Sequence, residues 1–267
     1  MNSTGNFVET VERGFAALAP FSRECEPDDA DGEPSLGGKL LFVSELNDVG
    51  RALVVAANIA GGATLTAADD PNVQRQVVRD GVVDFLVTSL EEALRILKNE
   101  IRKRATVAVC VADSPAAVER EMIERGVLPD LVFAGRKGGT NDLAQAGGRS
   151  EHIQLKAADE TEAFLQWKVE EAPARWMPRL DAIARVSLCT NSWGARWLRL
   201  AARYCGRIEQ GARVLHCAPD TAMKIMDGIS GAVRRGEIAV PVHMTAVIDG
   251  QVVVAVASPT AESPDKN

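Results

Sequence analysis

From Gly37 to Gly135 the chain alternates between two kinds of hydrophobic pattern. "KLLFVSEL" is a near-continuous apolar run, the mark of a strand buried on both faces. "VGRALVVAANIAGG" follows as an alanine-rich helix that closes on glycines, a C-terminal cap signal. The alternation then repeats. "ATLTAAD", "VVDFLVT", "TVAVCVA" and "LPDLVFAG" read as strands. Between them lie "PNVQRQVVRDG", with Pro at its start and Gly at its end, "SLEEALRILKNEIRKRA" and "DSPAAVEREMIERG". Ser89, with Glu92 three residues later, predicts a capping box. Strands separated by helices of this length predict a parallel sheet with right-handed crossovers.

The pattern changes on either side of this stretch. "NFVETVERGFAALAPF" carries Phe7, Val8, Val11, Phe15 and Leu18 at helical spacing and predicts a docking helix. "ECEPDDADGEPS" has six acidic residues between Glu24 and Glu33 and reads as a linker. Residues 136–150 form a Gly-rich break. Beyond it, "DETEAFLQWKVEEAP" and "ARWMPRLDAIARVSLCTNSWGARWLRLAARYCGR" read as helical, "ARVLHCA" as a strand, and "PDTAMKIMDGISGAVRRG" as a helix with Pro219 near its start. "VPVHMTAVIDGQVVVAVAS" predicts a hairpin turning at Asp249-Gly250. The fold class is α/β, with an α+β C-terminal region. Its parts are a helix and acidic linker at 1–35, a parallel-sheet domain at 36–150, the C-terminal region at 151–258 and a polar tail at 259–267.

The composition changes this picture little. Hydrophobic residues make up 46% and charged residues 25% of 267, as in ordinary globular proteins. A net charge of -7 argues against a general nucleic-acid surface. No apolar run reaches the roughly 20 residues that span a bilayer, and the N-terminus lacks the pattern of a secretory signal. Five scattered cysteines, with no CxxC pair, predict reduced thiols, a cytoplasmic setting and no structural zinc.

Residues 37–135 resemble the central NAD-binding domain of urocanase (urocanate hydratase). The likeness rests on Ala52, on Ala56, Ala57, Ala60 and Gly61, on Leu65 and Asp84, on Leu90, Ala93 and Leu94, and above all on "RGVLPDLV", Arg125 to Val132. It implies a Rossmann-like domain and NAD as cofactor. It also implies lyase chemistry, with a hydratase or an oxidoreductase as the enzymatic alternative to a non-catalytic binding or regulatory protein.

The candidate cofactor-binding positions are Glu45, Asn47, Asp48, Asp69, Arg136 and Asn141. In the family the first turn reads Gly-Leu-Gly-Gly-Met; here the matching residues are Glu45, Leu46, Asn47, Asp48 and Val49. Glycines there let backbone N–H groups approach the pyrophosphate, and the helix N-terminus favours an anion. Glu45 and Asp48 would repel that anion, and Asp48 is expected to cap the helix itself. The ribose-binding acid falls on Ala68; Asp69 is adjacent, and Asp69 and Asp70 also suit the start of the next helix. After "PDLV" the family carries a histidine that is missing here. Its catalytic cysteine lies in a C-terminal domain without a counterpart in this chain.

Two further stretches are candidates for binding. Arg136, Lys137 and the Gly138-Gly139 backbone follow a parallel strand, where such sheets bind anions, and equally suit an interdomain loop. From Arg175 to Arg213 there are eight arginines against Asp181 and Glu209. Trp193 and Trp197 share a helix face there, and Arg196, Arg199, Arg203 and Arg207 form a basic stripe. The stripe suits a small-molecule or protein partner, a homo-oligomer through the Trp193/Trp197 helix, or the acidic segment at 24–33. In the plainer alternative the tryptophans are core and the arginines face water. His216 and Cys217 are strand neighbours and so point to opposite faces.

Overall fold

A computed structural model describes residues 3–22, 33–133, 143, 151–153, 163–189, 192–205 and 210–259. The chain divides into two compact units, Met1–Lys156 with Arg203–Ile208, and Ala157–Ala202 with Glu209–Asn267.

The first unit is a Rossmann-like α/β layer. Its elements are α1 (Ser3–Ser22), β1 (Leu40–Val43), α2 (Asp48–Ala60), β2 (Ala63–Ala67), α3 (Pro71–Arg79), β3 (Phe85–Val87), α4 (Leu90–Arg102), β4 (Val107–Val111), α5 (Pro115–Glu124), β5 (Leu131–Phe133) and the two-residue β6 (Glu151–His152). The strands run parallel in the order β3-β4-β2-β1-β5-β6. β1, β2 and β4 are buried at every position, as their continuous apolar runs require.

The predicted caps at Gly61 and Ser89 form. Gly61 closes α2 in the left-handed region, at φ 88. Ser89 accepts a hydrogen bond from the Glu92 amide, and Glu92 reaches back to the Thr88 amide. α1 packs along α2 with Val8, Val11, Phe15 and Leu18 buried. α2 therefore lies between the sheet and α1, which explains why it is alanine-rich and buried on nearly every face.

The second unit is α+β. It holds β7 (Ala163–Lys168), α6 (Pro173–Val186), α7 (Trp193–Cys205, whose last turn belongs to the first unit), β8 (Ala212–Cys217), α8 (Pro219–Arg234), β9 (Val242–Ile248) and β10 (Gln251–Ala257). The strands form an antiparallel sheet in the order β10-β9-β7-β8. The hairpin turns at Asp249-Gly250, with φ 50 and 74, the positive pair that a type I′ turn needs.

One expected element is different. "AFLQWK" is a strand, not part of a helix. Ala163, Leu165 and Trp167 are buried while Phe164, Gln166 and Lys168 are not. Its residue types favour helix, but its burial has period two, and pairing with both β8 and β9 decides the outcome.

Candidate functional site

In open α/β sheets, ligands bind beyond the carboxyl ends of the strands where the connections diverge. Here that crevice opens between β1 and β5. β1 leads by α2 to β2 on one side, while β5 pairs on the other. The polar groups at this end are stitched to one another. The Ser44 amide and hydroxyl both donate to the Phe133 carbonyl, at 3.2 and 3.3 Å. The Thr66 hydroxyl donates to the Val43 carbonyl at 2.8 Å.

The turn after β1 closes on itself through Asn47. Its Oδ1 accepts from the Gly50 amide at 2.9 Å, and its backbone carbonyl accepts from the Arg51 amide at 2.9 Å. Its Nδ2 donates to the Glu45 carboxylate at 3.2 Å. The cap is thus Asn47 and not the expected Asp48, which is the first helical residue. An oxygen three residues before the amide that it receives is the cap geometry. Arg51, the first cation on α2, forms an ion pair with Asp80 at the end of α3.

Gly50 shows how tightly the turn folds. A β-carbon there would lie 1.7 Å from the Glu45 carbonyl oxygen. In G-x-G-x-x-G spacing counted from Glu45, Gly50 takes the third place, the one that serves close packing of helix on strand. The cap engages one terminal N–H group, that of Gly50, and the carboxylates of Glu45 and Asp48 belong to the same turn. As folded, this turn does not fit a pyrophosphate.

After β2, Ala68 is buried and Asp69 is exposed. Asp70 caps α3 by accepting from the Asn72 amide at 2.7 Å, so the capping role falls on Asp70 alone. Arg136 and Asn141, with the rest of the 136–142 loop, lie outside the described residues, as does the acidic segment up to residue 32.

Two carboxylates do matching structural work at the other end of the sheet. Asp84, just before β3, accepts from the Ala108 amide, and its own amide donates to the Ala108 carbonyl, both at 2.8 Å. Asp130, just before β5, accepts from the Leu40 amide at 2.7 Å, and its amide donates to the Leu40 carbonyl at 2.9 Å. Each clamps the start of its strand to the strand beside it.

Residues 26–134 match the family model of the urocanase Rossmann-like domain. The fold described above is the one that the match implies. The positions carrying the urocanase likeness, Asp84 and Asp130 among them, prove to be those that hold the sheet together, whereas the glycine turn of urocanase is replaced.

In the second unit the Trp/Arg helix splits. Trp197 is fully buried, and its indole N–H donates to the Val214 carbonyl at 2.7 Å, so it is core. Trp193 is half-buried. Arg196 is buried and Arg203 is exposed, so the four arginines do not make one solvent-facing stripe; Arg207 lies outside the described residues. Arg213 is also buried, donating to Asp181 at 3.1 Å and to the Ala212 carbonyl at 2.9 Å. Burial pushes the Asp181 carboxyl up to about 6; Arg213 and the Trp167 indole pull it the other way. His216 packs on Phe164 with ring centroids 5.1 Å apart and the rings tilted by 54°.

Cys110 and Cys189 are free thiols, and burial pushes Cys110 up to about 12, where it is unreactive near neutrality. Among the described residues no group of His, Cys, Asp and Glu could hold a metal ion, and no helix is long and apolar enough to cross a membrane.

Proposed function

We propose that the urocanase-like Rossmann domain acts as a scaffold in a non-catalytic binding or regulatory protein of the cytoplasm. The observation that carries this reading is the self-capped turn. Asn47 takes the Gly50 amide, one of the helix N–H groups that an anion would meet, and the Glu45 carboxylate is bonded to the same side chain. The partner is a protein or a small molecule reached through other surfaces.

A titration of ¹⁵N-labelled protein with NAD⁺ tests it. The Gly50 and Arg51 amide resonances are expected to stay unmoved at millimolar NAD⁺. Saturable shifts at those amides would overturn the reading.

A second reading, an NAD- or nucleotide-dependent lyase or oxidoreductase with a remodelled phosphate loop, is favoured by one observation. Asp70 supplies the α3 cap, which leaves the exposed Asp69 carboxylate out of the capping role and near the place for a ribose acid. Saturable shifts confined to Asp69 and its neighbours would support it.

A further inference from the structure

The antiparallel sheet of the second unit treats its two edges differently. At the β8 edge, α7 lies against the strand and the Trp197 indole occupies the Val214 carbonyl. At the other edge, β10 pairs with β9 alone among the described strands. Natural sheets blunt open edges with charges, prolines or bulges. β10, "QVVVAVA", has none of them: it carries no charge and no proline, and it pairs without a bulge from Gln251 through Ala257. Val252, Val254 and Val256 are 65%, 67% and 53% exposed.

The hairpin fixes which backbone groups face outward. In the turn, Ile248 and Gln251 are the first and last residues, so they form a hydrogen-bonded pair. Bonded pairs alternate along an antiparallel ladder. Gln251, Val253, Ala255 and Ala257 therefore bond to β9, and Val252, Val254 and Val256 direct their N–H and C=O groups away from the sheet.

We propose that β10 pairs with β10 of a second copy of this chain, antiparallel and centred on Val254, joining two four-stranded sheets into one. The set of outward residues is symmetric about Val254. A two-fold axis there sets Val254 against Val254 and Val252 against Val256, and it satisfies every outward group of both strands. It also joins the exposed valines of the two copies into one apolar band on the same sheet face.

Charge along the strand itself permits the same occupant. Each chain carries a net charge of -7, which opposes close approach elsewhere on the surface, yet no charged residues are opposed along this strand. The nearest acid, Asp249, falls beyond the paired segment. An acidic or basic peptide would find no counter-charge on β10 itself. Pairing two short strands gives an area at the low end for specific interfaces, about 1,200 Å² or less, so the dimer is reversible and concentration-dependent.

Sedimentation equilibrium tests this, with Val254→Lys and Val254→Pro as variants. Both change an exposed position whose N–H lies outside the chain's own ladder, so the fold is retained. Wild type is expected to shift with concentration toward twice 28.5 kDa, and both variants to stay at 28.5 kDa. A wild type that stays monomeric to millimolar concentration, or variants that dimerise as wild type does, would overturn the proposal. Hydrogen exchange in the wild type needs no variant. The Val252, Val254 and Val256 amides should gain protection as concentration rises, and fast exchange at all concentrations would contradict the pairing.

Discussion

Asn47 holds a carboxylate, two amides and the entry angle of α2 within a five-residue turn. That a cap would fill this helix terminus was legible in the sequence, because the turn lacks glycine and is rich in acids. Which residue caps was not. Asn and Asp are equivalent caps by propensity, and the choice was made by a chain path that brings the Glu45 carbonyl onto Gly50. The buried Asp181–Arg213 pair was equally hidden, since nothing local ties an arginine on β8 to an acid on α6. Burial raises the Asp181 carboxyl from 3.8 to about 6, so its stabilising contribution is fully present below pH 4 and is lost as pH rises to 6. Over that window the loss is about 3 kcal/mol. Urea unfolding of Asp181→Asn should show a flatter pH dependence between pH 4 and 6. At pH 7, where the wild-type carboxyl bears the cost of being ionised in a buried place, the neutral amide should keep the stability of the protonated acid and gain up to about 3 kcal/mol over wild type. An unchanged pH slope would show that Asp181 does not titrate in this range.

At the scale of elements, the first unit was read almost completely from its pattern. β1, β2, β4 and β5 are buried at every position and α2 to α5 each carry a side-chain N-cap, so local signals and tertiary demands agree. The second unit was less transparent. β7 lies between two strands and is set by its neighbours more than by its helix-favouring residues. α7 shows the same limit. Spacing placed Trp193 and Trp197 on one face, but only the sheet edge beside them explains why Trp197 is fully buried with its N–H on Val214. Trp197→Ala should therefore cost about 3–5 kcal/mol, seen as a lower urea midpoint. A near-neutral effect on folding, with lost self-association, would instead return Trp197 to an interface role.

The chain carries a urocanase-like Rossmann layer and an α+β unit in which β10 is an edge strand among the described residues. In the first unit, the carboxylates at the amino ends of β3 and β5 keep the sheet in register, and at the carboxyl ends hydroxyl groups and the Asn47 cap tie the chain to itself. The central claim is that the turn, and not the sheet, sets the affinity for NAD⁺. Glu45→Gly, Asn47→Gly and Asp48→Gly together would restore the glycine pattern of the family, while Leu46, Val49 and the rest of the frame stay in place. The deciding measurement is a calorimetric titration of NAD⁺ into wild type and this triple variant at low salt. The account predicts no saturable heat for wild type at millimolar NAD⁺ and measurable saturable binding by the variant. Micromolar binding by wild type, or wild-type binding that the variant weakens, would contradict it.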